Sequence, residues 1–100
     1  MQLDLTGKVV VVTGGSQGIG KAIAQELVIE GAEVLIVARN LEQLQKTVAE
    51  IATTDKGRFK YFQGDMAEPT AIDAALEFAR QEFGKIDILI NNAGASPMGR

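Results

Sequence analysis

Four short apolar runs alternate with three amphipathic stretches along the chain, and this alternation does most to limit what it can fold into. "KVVVVT" (8–13) is a continuous β-branched run, the pattern of a strand buried on both faces. Over residues 18–30, Ile19, Ile23 and Leu27 share a helical stripe, with Ala24 and Val28 beside it. Gly31 ends that helix as a C-cap. "EVLIVA" (33–38) reads as a second buried strand, and Leu41, Leu44, Val48 and Ile51 give residues 41–52 one apolar helical face. After the turn "TTDKG", the alternating "RFKYFQG" (58–64) reads as a third strand. Pro69 suits a first helical turn, Ile72, Leu76, Ala79 and Phe83 give the third helix its face, and Gly84 closes it. "IDILIN" (86–91) is a fourth buried strand, and "NAGASPMGR" follows as loop. Helical crossovers between buried strands require parallel pairing, right-handed units and helices on both faces. The spacing predicts an open α/β sheet of spatial order 3-2-1-4. Its ligand cleft lies at the carboxyl ends of the strands, where the order reverses between the first and the fourth.

Composition narrows the chemistry. One hundred residues make one domain at most. A net charge of -3 and a pI near 4.9 give no general attraction to nucleic acid or to anionic membrane. No apolar run approaches the roughly 18 residues of a membrane span. "MQLDLTGK" lacks the basic and apolar regions of a secretory signal, so the expected compartment is the cytoplasm. Cysteine and histidine are both absent. That excludes disulfides and thiolate chemistry, and it removes the commonest general base and metal ligand. No metal site is expected. Chemistry here has to use carboxylates, lysines, hydroxyls, the single tyrosine or a cofactor.

Residues 13–21, "TGGSQGIGK", sit between the first strand and the first helix, where a phosphate is usually held. Gly15 to Lys21 spell G-x-x-x-x-G-K, but a triphosphate loop needs Ser or Thr next, and Ala22 has no oxygen to offer magnesium. Gly14, Gly18 and Gly20 spell a variant of the dinucleotide loop instead. Gly14 turns the chain after the strand, Gly18 lets a pyrophosphate approach the backbone, and Gly20 lets helix and strand pack closely. On spacing alone, a tight strand-to-helix turn without a ligand is the competing reading.

"TGGSQGIG" (13–20) and "NNAG" (91–94) together resemble the N-terminal half of the classical short-chain dehydrogenases/reductases. "LTGKVVVVTGGSQGIG" matches the first unit, "GD" (64–65) follows the third strand, and "GKIDILINNAG" (84–94) matches the fourth. The resemblance covers essentially the whole chain. It implies a Rossmann-type fold that binds a nicotinamide dinucleotide and interconverts alcohols and carbonyls by hydride transfer. It also implies a small carbonyl or alcohol substrate and a homo-oligomer.

The end of the second strand reads "VARN". An NAD site usually places a carboxylate there, about 20 residues past the glycines, for the ribose 2′-OH. Arg39 cannot accept that hydrogen bond but can pair with a 2′-phosphate, so NADP(H) is expected over NAD(H). Glu33 and Glu42 lie at the strand's start and within the next helix, and neither takes the carboxylate's place. Ser16 can add a hydroxyl to the same phosphate. The family's strongest NADP members carry a basic residue in the glycine loop, where this chain has Gln17. The resemblance gives Asp65 the adenine amino group and the Met66 N–H a ring nitrogen, and it places Asn91, Ala93 and Gly94 beside the adenosine-side ribose. Asp65 equally suits a turn after the strand. Gln17, Ile19 and Asn40 complete the expected cofactor-binding set.

The family's catalysis uses Ser, Tyr-x-x-x-Lys and often Asn. Four residues beyond Tyr61 stands Asp65, not lysine, and Tyr61 reads as an aromatic packed in a strand. No catalytic residue is therefore expected in residues 1–100. The chain reads as the cofactor-binding N-terminal half of one domain, inactive alone, with a non-catalytic NADP(H) sensor as the alternative. Ile86, Ile88, Leu89 and Ile90 in the fourth strand then form an uncovered edge, which favours self-association. Sedimentation of residues 1–100 should show association or a marginal fold. A monodisperse, cooperatively folded monomer at high concentration would contradict this.

Overall fold

Val9–Thr13 forms the first strand, β1, and every residue of it is buried. In this computed structural model, which describes residues 4–14, 18–51, 58–65 and 67–91, six further elements follow. They are α1 (Gly18–Ile29), β2 (Glu33–Ala38), α2 (Leu41–Ile51), β3 (Phe59–Gln63), α3 (Pro69–Phe83) and β4 (Ile88–Asn91). The sheet order is β3-β2-β1-β4 and all three pairings are parallel, as the alternation predicts. Thr13 stands opposite both Val37 and Asn91, and Ala38 opposite Gln63, so the four strands end almost level.

Alternation along the strands builds two cores. Val10, Val12, Val34 and Ile36 face one side and pack with Ala24, Val28, Leu44 and Ile51 from α1 and α2. Val11, Leu35 and Val37 face the other side and pack with Ala75 and Ala79 from α3. Burial of β-branched side chains on both faces is what a central parallel strand needs.

Three expectations about burial differ from the structure. On α1 the buried line is Gly20, Ala24 and Val28, whereas Ile19 is 71% exposed. Small residues let the helix axis come close to the sheet, so the bulkier stripe is pushed to the flank. The second difference is β4, expected to be a buried strand. Ile88 and Leu89 are 39% and 49% exposed, because among the described residues β4 pairs only with β1. On α2, likewise, Leu41 is exposed in the first turn while Thr47 joins Leu44 and Ile51 inside.

The base of the β1–β4 pair is held from both sides. The Asp87 N–H donates to the Val9 carbonyl at 2.9 Å, and the Asp87 carboxylate accepts the Val9 N–H at 2.8 Å. Lys85 pairs with the same carboxylate at 3.1 Å. The Val9 N–H and then Lys85 hold the Asp87 carboxyl below the usual carboxylate value. On the opposite edge of β1, Leu5 N–H donates to the Glu30 carbonyl, and the chain passes so close that a Cβ on Gly31 would lie 2.9 Å from Thr6 Oγ1. Gly31 has φ +96, so both the close approach and the backbone require glycine there.

Because the folded pKa of Asp87 lies below the unfolded one, its contribution is complete above the unfolded value of about 4 and is lost as pH falls through the folded value. Glu50, lowered by its bond to Lys21, contributes with the same sign. Urea titrations between neutral pH and pH about 3 should therefore show stability falling on the acid side, and Asp87→Asn should flatten that fall while lowering stability at neutral pH. An unchanged acid limb in Asp87→Asn would show that the clamp carries no linkage.

Candidate functional site

The level strand ends form a shelf, and the N-terminus of α1 meets it. Gly14 leaves β1 with φ +73, while its N–H still donates to the Val37 carbonyl at 2.6 Å. The chain thus stays tied to β2 until the residue at which it turns. Gly18 opens α1 with φ +56, and a Cβ built there would meet no described atom within 4 Å. The positive φ favours glycine, and the empty space beside it is what a close-approaching ligand group needs. Gly20 is buried against the sheet. Ser16 and Gln17 lie outside the described residues.

The electrostatics of the two helix starts differ. Asn40 caps α2: its Oδ1 accepts the Gln43 N–H and its backbone carbonyl the Leu44 N–H, both at 3.0 Å. Glu42 adds a negative charge in the first turn of α2. α1 has no acidic residue in its first turn. The positive end of its dipole therefore faces the shelf without a carboxylate from its own first turn to neutralise it.

Around the shelf, Arg39 follows β2 directly, exposed, and its guanidinium forms no ion pair with any described residue. Asp65 follows β3 and makes a turn: its Oδ1 accepts the Ala67 N–H and its carbonyl the Glu68 N–H, both at 2.9 Å. Its second carboxylate oxygen takes no hydrogen bond from a described residue, so the turn leaves an acceptor over. Asn91 ends β4. The Thr13 hydroxyl donates to Asn91 Oδ1 at 2.9 Å and also approaches the Ile90 carbonyl at 3.4 Å. This bond, between residues 78 apart in sequence, closes the mouth between β1 and β4. Thr13 was not among the residues singled out from sequence, and a threonine at the end of a β-branched run gives no signal of it. Met66, Ala93 and Gly94 lie outside the described residues.

Tyr61 belongs to none of this. Its ring packs against the core shared with α1 and α2, and its hydroxyl accepts from Gln45 Nε2 at 3.4 Å. Among the described residues, no three carboxylate side chains gather as a metal site would require. No described helix is long and apolar enough to cross a membrane.

The short chain dehydrogenase family matches residues 8–100. The chain belongs to this family. An uncharacterized oxidoreductase of Caenorhabditis elegans is 43% identical over 94 residues, covering 93% of this chain and 30% of its own length. D-threitol dehydrogenase of Mycolicibacterium smegmatis is 39% identical, with 92% of this chain and 35% of its own length covered. Among solved structures, L-sorbose reductase of Gluconobacter frateurii, complexed with NADPH and L-sorbose, superimposes with a TM-score of 0.88 at 40% identity. That match covers 95% of this chain and 36% of the reductase. The chain therefore spans about a third of the length of these short-chain dehydrogenase relatives. The family's Rossmann-type sheet is the one found here.

Proposed function

We propose that this chain is the adenosine-nucleotide-binding half of an NADP(H)-dependent oxidoreductase that interconverts alcohols and carbonyls. One observation carries the reading. A strand-to-helix turn with two positive-φ glycines and open space beside the second lies where the sheet order reverses, and an arginine that pairs with no described residue stands at the end of the next strand. Such a turn accepts a pyrophosphate, and the arginine distinguishes a 2′-phosphate from a hydroxyl.

In this reading the turn from Gly14 to Gly20, with Ser16 and Gln17, holds the phosphates at the α1 N-terminus. Ile19, exposed at that mouth, offers the ligand an apolar contact. Arg39 meets the 2′-phosphate beside Asn40, whose side-chain oxygen is committed to the α2 cap. The spare oxygen of Asp65 and the Met66 N–H take the adenine edge. Asn91, Ala93 and Gly94 line the ribose, with the Asn91 oxygen fixed by Thr13. NADPH held by these residues would supply the hydride that reduces a carbonyl carbon, and a proton from an acid would complete the alcohol. The remaining elements of the domain would supply the acid and the substrate contacts, which is consistent with the chain spanning about a third of its relatives. A small alcohol or carbonyl substrate, a homo-oligomeric full-length protein and a cytoplasmic location belong to the same reading. The relatives' names support the substrate class, since one is a dehydrogenase of D-threitol and another a reductase of L-sorbose.

Two outcomes test it. In the full-length protein, Arg39→Asp should weaken NADPH by about ten- to a hundredfold and favour NADH, because a charge-assisted bond becomes a repulsion. Equal affinities for the two cofactors before and after the change would reduce Arg39 to a surface cation. Residues 1–100 alone, mixed with NADPH and a panel of carbonyl compounds, should cause no loss of reduced-nicotinamide absorbance. Turnover abolished by Tyr61→Phe would place the chemistry in this chain after all. Binding without turnover by the full-length protein would favour the sensor.

A further inference from the structure

The residue that presents the specificity cation is itself held from the neighbouring strand. Gln63 is the last residue of β3, exposed, and its carboxamide Nε2 donates to the Arg39 carbonyl at 3.1 Å. The next residue, Gly64, donates its N–H to the Ala38 carbonyl at 2.9 Å. On the other side of Arg39, Asn40 is fixed as the α2 cap. Val37, two residues back, is already tied by the Gly14 N–H. Arg39 therefore sits, with Asn40, in the two-residue bend between the end of β2 and the start of α2. Its own carbonyl takes its hydrogen bond from a side chain, the Gln63 carboxamide.

The geometry points to Gln63 as a positioning residue for 2′-phosphate selectivity, acting through the Arg39 backbone rather than by touching the ligand. The inference rests on the reading of Arg39 as the 2′-phosphate cation and adds the residue that aims it. A guanidinium on a fixed bend loses less freedom on binding than one on a swinging peptide, so fixing the bend strengthens the ion pair. Gln63 is exposed, so its removal opens no cavity. A role confined to the fold would affect every adenine nucleotide alike, whereas positioning of Arg39 affects only those with a 2′-phosphate.

Calorimetric titration of the full-length protein with 2′,5′-ADP and with 5′-ADP separates these roles. Gln63→Met keeps the length of the side chain and loses the donor. It should weaken 2′,5′-ADP about three- to tenfold, leave 5′-ADP within about twofold and leave the urea midpoint unchanged. Gln63→Ala should do the same, and neither change should add to Arg39→Ala. Equal loss for both nucleotides, or no loss for either while Arg39→Ala abolishes the 2′-phosphate preference, overturns the role of Gln63 alone. A preference that survives Arg39→Ala overturns the reading of Arg39 and this inference with it.

Discussion

The pairing of β1 with β4 creates the crevice on which the proposed binding site depends. It joins strands at opposite ends of the chain and reverses the sheet order beside β1. Only there do successive crossovers leave in opposite directions and open a crevice above the strand ends. The pairing is short, and polar contacts reinforce it at both ends. Below, Asp87 and Val9 exchange two hydrogen bonds, one of them to a carboxylate. Above, Thr13 reaches across to Asn91. Both side chains act on strand ends, where a parallel ladder has the least support from neighbours.

Packing then delivers the helix to the crevice. Burial of Val9 to Thr13 on both faces fixes β1 in the middle of the sheet. The small line of Gly20, Ala24 and Val28 brings α1 close to it, so the first turn of the helix arrives directly over the strand end. That turn brings N–H groups and a positive field, with no carboxylate of its own against them. Arg39 adds a full positive charge one strand away. In the proposed reading, the two together meet the phosphates of a dinucleotide at two separated points.

The fold was largely legible in the sequence because its signals are local. β-branched runs, helical periodicity and the glycines at 14, 31 and 84 mark elements without knowledge of their neighbours. The structure moves the burial of β4 and α1 because burial depends on what lies alongside. Ile88 and Leu89 look like core residues until the sheet order shows β1 as their only partner strand among the described residues. In the candidate site, the places of the glycine turn after β1 and of Arg39 after β2 were readable from residue type and position. The contacts that tie the site together were not. Thr13 with Asn91, Gln63 with Arg39 and Asp87 with Val9 each join residues far apart in sequence through ordinary polar side chains. No spacing rule distinguishes them from solvated surface.

The central claim is that a dinucleotide's phosphates rest on the turn between β1 and α1, with its 2′-phosphate at Arg39. Amide chemical shifts of the isotope-labelled protein during titration with NADP⁺ test it residue by residue. The account predicts saturable changes at Gly14, Gly18 to Gly20, Arg39 and Asn91, with the outer face of α3 and the base of β4 near Asp87 unmoved. Saturable changes centred on α3, or none at the glycine turn, would contradict it.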